Sequence, residues 1–326
     1  MDGILNIRKE EGMTSHDVVS CLRRIIGQKK IGHTGTLDPM ATGVLPVCLG
    51  KATRVIEYLD ADQKEYIAEM VLGRTYDTGD IWGKPLTECP ADLVNQIGED
   101  AVRSALQAQV GVISQYPPMY SAVKVNGRKL YEYAREGKEV ERKARTVQIR
   151  EIEILETDLG KGLASRIKFR MVSSRGTYVR TVCEEAGKNL GTGAAMSSLV
   201  RTRSGIFRIS DARTLSEIKE MNEEERNAVL FHPEDVLTHL GRARLDEGSA
   251  ESFLNGKVLN FSPEMEERAP EFQGRALPIP VPEKYSRSYA VFFEKIFLGI
   301  GEIKDGVLHP AKVFQDKEAF AEAAEK

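Results

Sequence analysis

The sequence is short of cysteine, of tryptophan and of uninterrupted apolar stretches. Its 326 residues include four cysteines, Cys21, Cys48, Cys89 and Cys183, and no Cys-x-x-Cys pair. That pattern argues against a cysteine zinc site and a disulfide framework, and it fits a reducing cytoplasm. Apolar runs are short: residues 44–49 make one of six, and residues 276–282 one of seven, each interrupted by proline. A helical bilayer span needs about 20, so no membrane contact is expected. Residues 1–11 carry charges where a secretory signal needs an apolar core, so no export segment is expected either. The pattern Gly-x-x-x-x-Gly-Lys-Ser/Thr is absent, which removes a phosphate loop. His33 has no His-x-x-x-His or acidic partner at metal spacing. No metal, nucleotide or redox cofactor is therefore expected.

What the sequence does have is charge, unevenly placed. Apolar residues make up 41% and charged residues 29%, enough of each for a packed core under a solvated surface. The formal net charge is −3. Residues 1–100 carry 11 basic and 16 acidic side chains, 101–215 carry 21 and 11, and 216–326 carry 14 and 22. A basic middle between acidic flanks can face phosphates while the whole stays soluble; it is equally a solvated strand-and-loop surface.

The length allows two domains. Residues 3–8 read as a strand. Ser15 is read as the cap of a helix over 17–26, with Val18, Val19, Leu22, Ile25 and Ile26 at helical spacing and Gly27 as its stop. Strands are read at 44–49, 66–72, 146–157, 165–172 and 198–209, and helices at 99–109 and 178–190. Thr214-x-x-Glu217 is a capping box. These elements follow no strict βαβ rhythm. The expected class is α+β, with a mixed, largely antiparallel sheet and flanking helices. Composition changes after about residue 235. Residues 260–285 hold five of the 13 prolines and read as an irregular insertion. Strands at 288–294 and 296–303 follow, then an Asp305-Gly306 turn. Boundaries are expected at 1–235 for the larger domain, 240–316 for a small β-rich one, and 317–326 for a polar tail.

The densest segment is Gly32-His33-Thr34-Gly35-Thr36-Leu37-Asp38-Pro39-Met40-Ala41-Thr42-Gly43-Val44-Leu45-Pro46. Its glycines and prolines make a stiff loop that presents one carboxylate, Asp38. Asp-Pro is also an ordinary helix start, with Asp as N-cap and Pro at N1.

As a whole this segment resembles the catalytic motif of the TruB family of pseudouridine synthases. Lys9-Glu10-Glu11-Gly12-Met13-Thr14-Ser15 resembles the family's Lys-Pro-x-Gly-x-Thr-Ser. Tyr66 follows Asp38 at the family's spacing. Asp77-Thr78-Gly79-Asp80, Tyr116-Pro117-Pro118-Met119-Tyr120-Ser121-Ala122-Val123-Lys124, Ser174-Arg175-Gly176-Thr177-Tyr178-Val179-Arg180 and Leu199-Val200-Arg201-Thr202 continue the series in order over residues 3–215. Two positions depart from it. Glu10 stands where proline is usual, and Tyr76 where threonine is common.

The resemblance implies a pseudouridine synthase fold and isomerisation of uridine to pseudouridine at position 55, in the T loop of tRNA, after base flipping. Asp38 would attack the ribose C1′ or act on that carbon's proton. Either role asks for an ionised carboxylate closed off from water, and a cation must balance it because burial favours the neutral form. Arg180 is the family's cation, although periodicity alone makes it a solvated helix arginine. Tyr66 would stack on the base and assist removal of the C5 proton while packing into the core. Tyr178 and Leu199 would pack around the site, and His33 would touch RNA or hold the loop. Lys124, Arg128, Lys129, Arg142, Lys143 and Arg145 would contact phosphates, or simply be solvated. The C-terminal part resembles a PUA domain, a small β-barrel. It would hold the acceptor side of tRNA and be separable from the chemistry. A cytoplasmic monomer with no obligate protein partner is expected. Two other classes stay open. One is an RNA-folding protein whose catalysis is dispensable. The other is the related RNA-guided synthase, against which the lack of an extended basic tail argues.

Overall fold

The computed structural model describes residues 1–59, 63–270, 283–315 and 320. Its larger sheet runs Gly3–Lys9, Thr42–Leu49, Ala194–Ser204, Lys64–Leu72, Arg166–Ser173, Arg145–Asp158, Gly111–Gln115. Ile31–His33 adds to Thr42–Leu49, and Phe207–Arg208 to Ala194–Ser204. Every named pairing is antiparallel except Thr42–Leu49 with Ala194–Ser204. The α+β reading and the mixed sheet hold. Along Lys64–Leu72 the side chains alternate. Lys64, Tyr66, Ala68 and Met70 are buried, while Glu65, Ile67 and Glu69 are half-buried. The period-2 pleat therefore puts Tyr66 on the covered face. Helices Ser15–Ile26, Glu99–Gln107 and Val179–Leu190 supply Val18, Leu22, Val102, Leu106, Val182 and Ala186 to the same core. No helix among the described residues is long and apolar enough to cross a membrane.

The first helix starts differently from its sequence reading. Thr14, not Ser15, is the N-cap: its hydroxyl accepts from the Asp17 N–H at 3.1 Å, and the Asp17 carboxylate accepts from the Thr14 N–H at 2.8 Å. Ser15 is buried and bonds elsewhere, as described below. The strand expected at 198–209 begins four residues earlier and breaks at Gly205, so that Phe207–Arg208 folds back on it.

The smaller sheet runs Leu259–Asn260, Val307–Val313, Ile296–Lys304, Ser288–Phe293, Gly241–Arg244, Glu266–Arg268, and curls into a half-barrel. Glu266–Arg268 lies inside the segment read as irregular, where it pairs with Gly241–Arg244. Residues 271–282 of that segment lie outside the described residues, as does the expected tail 317–326 except Phe320. Phe320 is buried against Phe293, with ring centroids 5.3 Å apart.

The two sheets share an apolar core. Ile4, Val44, Cys48, Val55 and Tyr58 pack with Leu240, Tyr285, Phe292, Phe297 and Ile300. The Tyr285 hydroxyl donates to the Glu57 carbonyl, and Lys312 Nζ lies 2.9 Å from Glu57 Oε1. A cut at residue 240 strips one side of this core, contrary to the expectation of a separable C-terminal unit. Each such side chain contributes about 1.5–3 kcal/mol when buried. Fragment 1–239 is therefore expected to aggregate, or to melt at least roughly 10 °C below the full chain in circular dichroism. A soluble fragment with an unchanged melting temperature would refute the shared core.

Candidate active site

Residues 34–41 join Ile31–His33 to Thr42–Leu49. Asp38 and Pro39 do not start a helix. They form one turn, in which the Ala41 N–H donates to the Asp38 carbonyl at 3.1 Å. Three buried side chains clamp it. The Ser15 hydroxyl accepts from the Leu37 N–H at 2.8 Å and donates to the Leu37 carbonyl at 3.1 Å. Lys9 Nζ donates to the Pro39 carbonyl at 2.9 Å and the Glu10 carbonyl at 2.8 Å. Arg201 Nε donates to the Val44 carbonyl at 2.7 Å, and its Nη2 to the Gly35 carbonyl at 3.2 Å. Lys9 and Arg201 are each 1% exposed. The parallel pairing of Arg201 with Gly43 needs a glycine: at φ +101° a Cβ there would fall 2.2 Å from the Arg201 carbonyl oxygen.

Arg180 is the second residue of helix Val179–Leu190, and it is 4% exposed rather than solvated. Its Nε lies 3.1 Å from Asp38 Oδ2, and its Nη2 donates to Oδ1 at 3.4 Å. Nη1 donates to the Thr78 carbonyl and Nη2 to the Tyr120 carbonyl, both at 2.8 Å. Asp80 Oδ2 lies 3.8 Å from Nη1. Burial pushes the Asp80 carboxyl up, against the Thr78 hydroxyl and Arg180, which hold it down. The Asp38 side chain keeps 37% of its surface exposed, so the closed environment expected for it is missing in the free chain.

Two clefts meet at Asp38. One, of about 530 Å³, is lined by Asp38, Tyr66, Tyr178, Arg180 and Leu199, with Lys64 and Arg145. The other, of about 620 Å³, is lined by Asp38, Arg180, His33, Trp82, Lys129 and Tyr131. Tyr66 and Leu199 are 7% and 8% exposed. Burial pushes the Tyr178 phenol up, so it stays protonated at neutral pH. Burial, then Arg201 and His16, push His33 down. Its imidazole is neutral, and the buried Nδ1 has no hydrogen-bond partner. Lys124 and Arg128 line neither cleft. Arg128 is engaged by Glu136 and by Glu132 at 3.8 Å, and lies 4.6 Å over the Tyr133 ring.

A model of the N-terminal domain of TruB family pseudouridylate synthases matches residues 23–179, and a model of the tRNA pseudouridylate synthase B C-terminal domain matches 180–240. The tRNA pseudouridine synthase B of Geobacillus thermodenitrificans is 41% identical over 317 residues, covering 97% of this chain and 100% of the relative. The chain belongs to the TruB family of pseudouridylate synthases. The corresponding enzyme of Bacillus pumilus is 39% identical, over 98% of this chain and 100% of its own. Among solved structures, a chain of a Cbf5–Nop10–Gar1 complex matches with a TM-score of 0.71 and 26% identity, over 97% of this chain and 86% of the other. As a TruB synthase the chain is an isomerase.

Of the residues read from sequence, Asp38, Tyr66, Arg180, Tyr178 and Leu199 come together in one cavity. His33 and Lys129 line the second cleft together with Asp38. Sequence reasoning gave no site role to Lys9, Arg201, Ser15, Thr78 or Asp80. All lie inside motifs that carry the TruB resemblance, and that membership was the one available signal.

Lys9 has a measurable signature. Burial lowers its pKa to about 8, although Asp38 nearby opposes the shift. In the unfolded chain the value is about 10.4. Between the two, the unfolded state binds the extra proton, so stability rises with pH across that window. Below pH 8 both states are protonated and this slope vanishes. The expected result is that wild type gains stability over Lys9→Met from pH 8 to pH 10 in denaturant titrations. Parallel curves would place the Lys9 ammonium in water.

Proposed function

We propose that the chain isomerises uridine 55 in the T loop of tRNA, with Asp38 as the reacting carboxylate. The observation that carries this reading is the bidentate contact between Asp38 and the buried Arg180, at the mouth of a cavity that Tyr66 also lines. In the reaction the C1′–N1 bond breaks, the uracil turns, and a C1′–C5 bond forms. C5 loses its proton and N1 ends protonated. Atoms and electrons balance within the substrate, so the step needs no oxidant, metal or group donor. Asp38 attacks C1′ or acts on its proton; Arg180 orients the carboxylate and balances its charge in both cases. Tyr66 stacks on the turned base beside the C5 proton. The half-exposed Asp38 becomes closed to water when the flipped nucleotide fills the cavity, which strengthens every charge interaction there.

Unstacking the uridine costs a few kcal/mol, and phosphate contacts offset it. Lys124 and Lys129 on the hairpin of Lys124–Val125 with Arg128–Lys129 serve this role, with Arg145 at the cavity edge. Residues 240–316 act as a PUA-like unit that holds the acceptor side of tRNA, and residues 1–235 carry the chemistry. Identity of 41% and 39% to tRNA pseudouridine synthases B over their full lengths, against 26% to the chain of a Cbf5–Nop10–Gar1 complex, favours the tRNA enzyme over the reading as part of a multiprotein guided complex.

The direct test is pseudouridine mapping in tRNA incubated with the pure chain. Asp38→Asn is expected to lose at least about 10⁴-fold in single-turnover rate, as nucleophile removal does elsewhere, while tRNA binding is kept. Arg180→Lys, which cannot make the bidentate contact, is expected to lose about 10²–10³-fold. Substantial turnover by Asp38→Asn, with deamidation excluded by mass spectrometry, would remove Asp38 from the chemistry, whereas no pseudouridine from the wild-type chain would leave an RNA-folding role.

Because Glu136 already engages Arg128, neutralising Lys124, Arg128 and Lys129 together should remove about two phosphate contacts rather than three. The log–log salt slope of tRNA binding is then expected to flatten by about 1.4–1.8. An unchanged slope would make the hairpin a solvated face.

A further inference from the structure

The loop of residues 77–84 carries the chain's one tryptophan, Trp82, and leaves it 41% exposed. Singly exposed apolar side chains are common and need no explanation. This one differs in how it is held and in what it faces.

The loop is stiff. The Trp82 N–H donates to Asp80 Oδ1 at 3.2 Å, the Lys84 N–H to Asp77 Oδ1 at 2.7 Å, and the Ile81 N–H to the Met196 carbonyl at 3.0 Å. At Gly83 a Cβ would fall 2.2 Å from the Thr78 hydroxyl, so the turn closes only around glycine. The same loop offers the Thr78 carbonyl to Arg180 at 2.8 Å. Through Arg180, the indole and the Asp38 carboxylate are held in one frame.

The indole lines the cleft that Asp38 shares with the Tyr66 cavity but that Tyr66 does not itself line. Tyr131 lies in that cleft, with Lys129 Nζ 5.4 Å and Arg135 Cζ 5.2 Å from its ring centroid. A half-open indole in one cleft with a tyrosine and two cations matches what single-stranded nucleic acid asks for, a stacking platform and a phosphate track. An apolar ligand would leave the cations unused.

We propose that Trp82 stacks on the base of a nucleotide adjoining the flipped uridine and so holds the unpaired strand in the second cleft. This rests on the pseudouridine synthase reading above. Stacking tolerates any base, because every base has a π face. Trp82 would therefore add affinity and alignment without adding base selectivity.

Since the chain has one tryptophan, its fluorescence reports this position alone. The experiment titrates the full-length chain with a T-arm stem-loop RNA and reads indole emission and pseudouridine formation in the same samples. The expected result is saturable quenching at the concentration that drives isomerisation. Trp82→Ala should raise KM about 5-fold or more, more than it lowers kcat. Trp82→Phe, which keeps an aromatic face, should recover most of that loss. Isomerisation with unchanged emission overturns the stacking alone. A Trp82→Ala enzyme with wild-type KM does the same. Absence of isomerisation by wild type overturns the underlying reading, and this inference with it. If Trp82→Ala fails to fold, the wild-type quench and the KM of Trp82→Phe still decide.

Discussion

A guanidinium cannot shed its charge, so a buried arginine must be satisfied on all sides. Arg180 is satisfied by Asp38, by the Thr78 and Tyr120 carbonyls, and at longer range by Asp80. These partners come from three separate stretches of chain, and Arg180 brings the fourth. One residue thus gathers the loop that presents the carboxylate, the loop that presents Trp82 and the segment leading into the basic hairpin. Removing Asp38 leaves a buried cation short of its counter-charge. Removing Arg180 leaves two carbonyls and a carboxylate to find other partners. The site's geometry and its electrostatics are the same set of contacts.

The carboxylate is held from behind as well. Ser15, Lys9 and Arg201 bond backbone atoms on either side of Asp38 and leave its side chain free to face the cavity. Polar groups buried in this way are costly unless bonded, and each of these finds a partner in the loop. The scaffold is therefore rigid before substrate arrives, whereas the cavity itself stays open. On the proposed function, exclusion of water is left to the flipped nucleotide that fills the cavity.

Charge requires the same contact-by-contact reading. The basic middle of the chain does not form one free cationic face. Arg170 lies between Glu65, Glu151 and Glu153, Arg166 bonds Glu69, and Arg128 is engaged by Glu136. Arg166 and Arg170 pin the exposed face of the sheet together. On the proposed function, Lys129, Arg135 and Arg145 are the cations of this segment that line the two clefts and can meet phosphates there.

Elements governed by near neighbours could be read directly. The apolar period of Val179, Val182, Cys183 and Ala186, closed by Gly191 at φ +73°, made helix Val179–Leu190 visible, and the Thr214–Glu217 capping box did the same for Leu215–Glu220. The ordered motifs placed Asp38, Tyr66 and Arg180 in one family and one chemistry. Other outcomes were decided between distant residues. Thr14 and Ser15 are both good caps locally; contact with Leu37 takes Ser15 and leaves the cap to Thr14. Nothing within four positions of Lys9 marks it as buried; beyond the adjacent Glu10 carbonyl, its acceptor is the Pro39 carbonyl, 30 positions away. Arg180 reads as a surface arginine until Thr78 and Tyr120 are brought to it. The boundary near residue 235 is plain in composition, yet Tyr58 and Tyr285 pack across it. Helix periods and the Thr214 cap rest on near neighbours, so sequence alone determined them. Burial and charge pairing depend on which segments meet, and only the folded chain decides that.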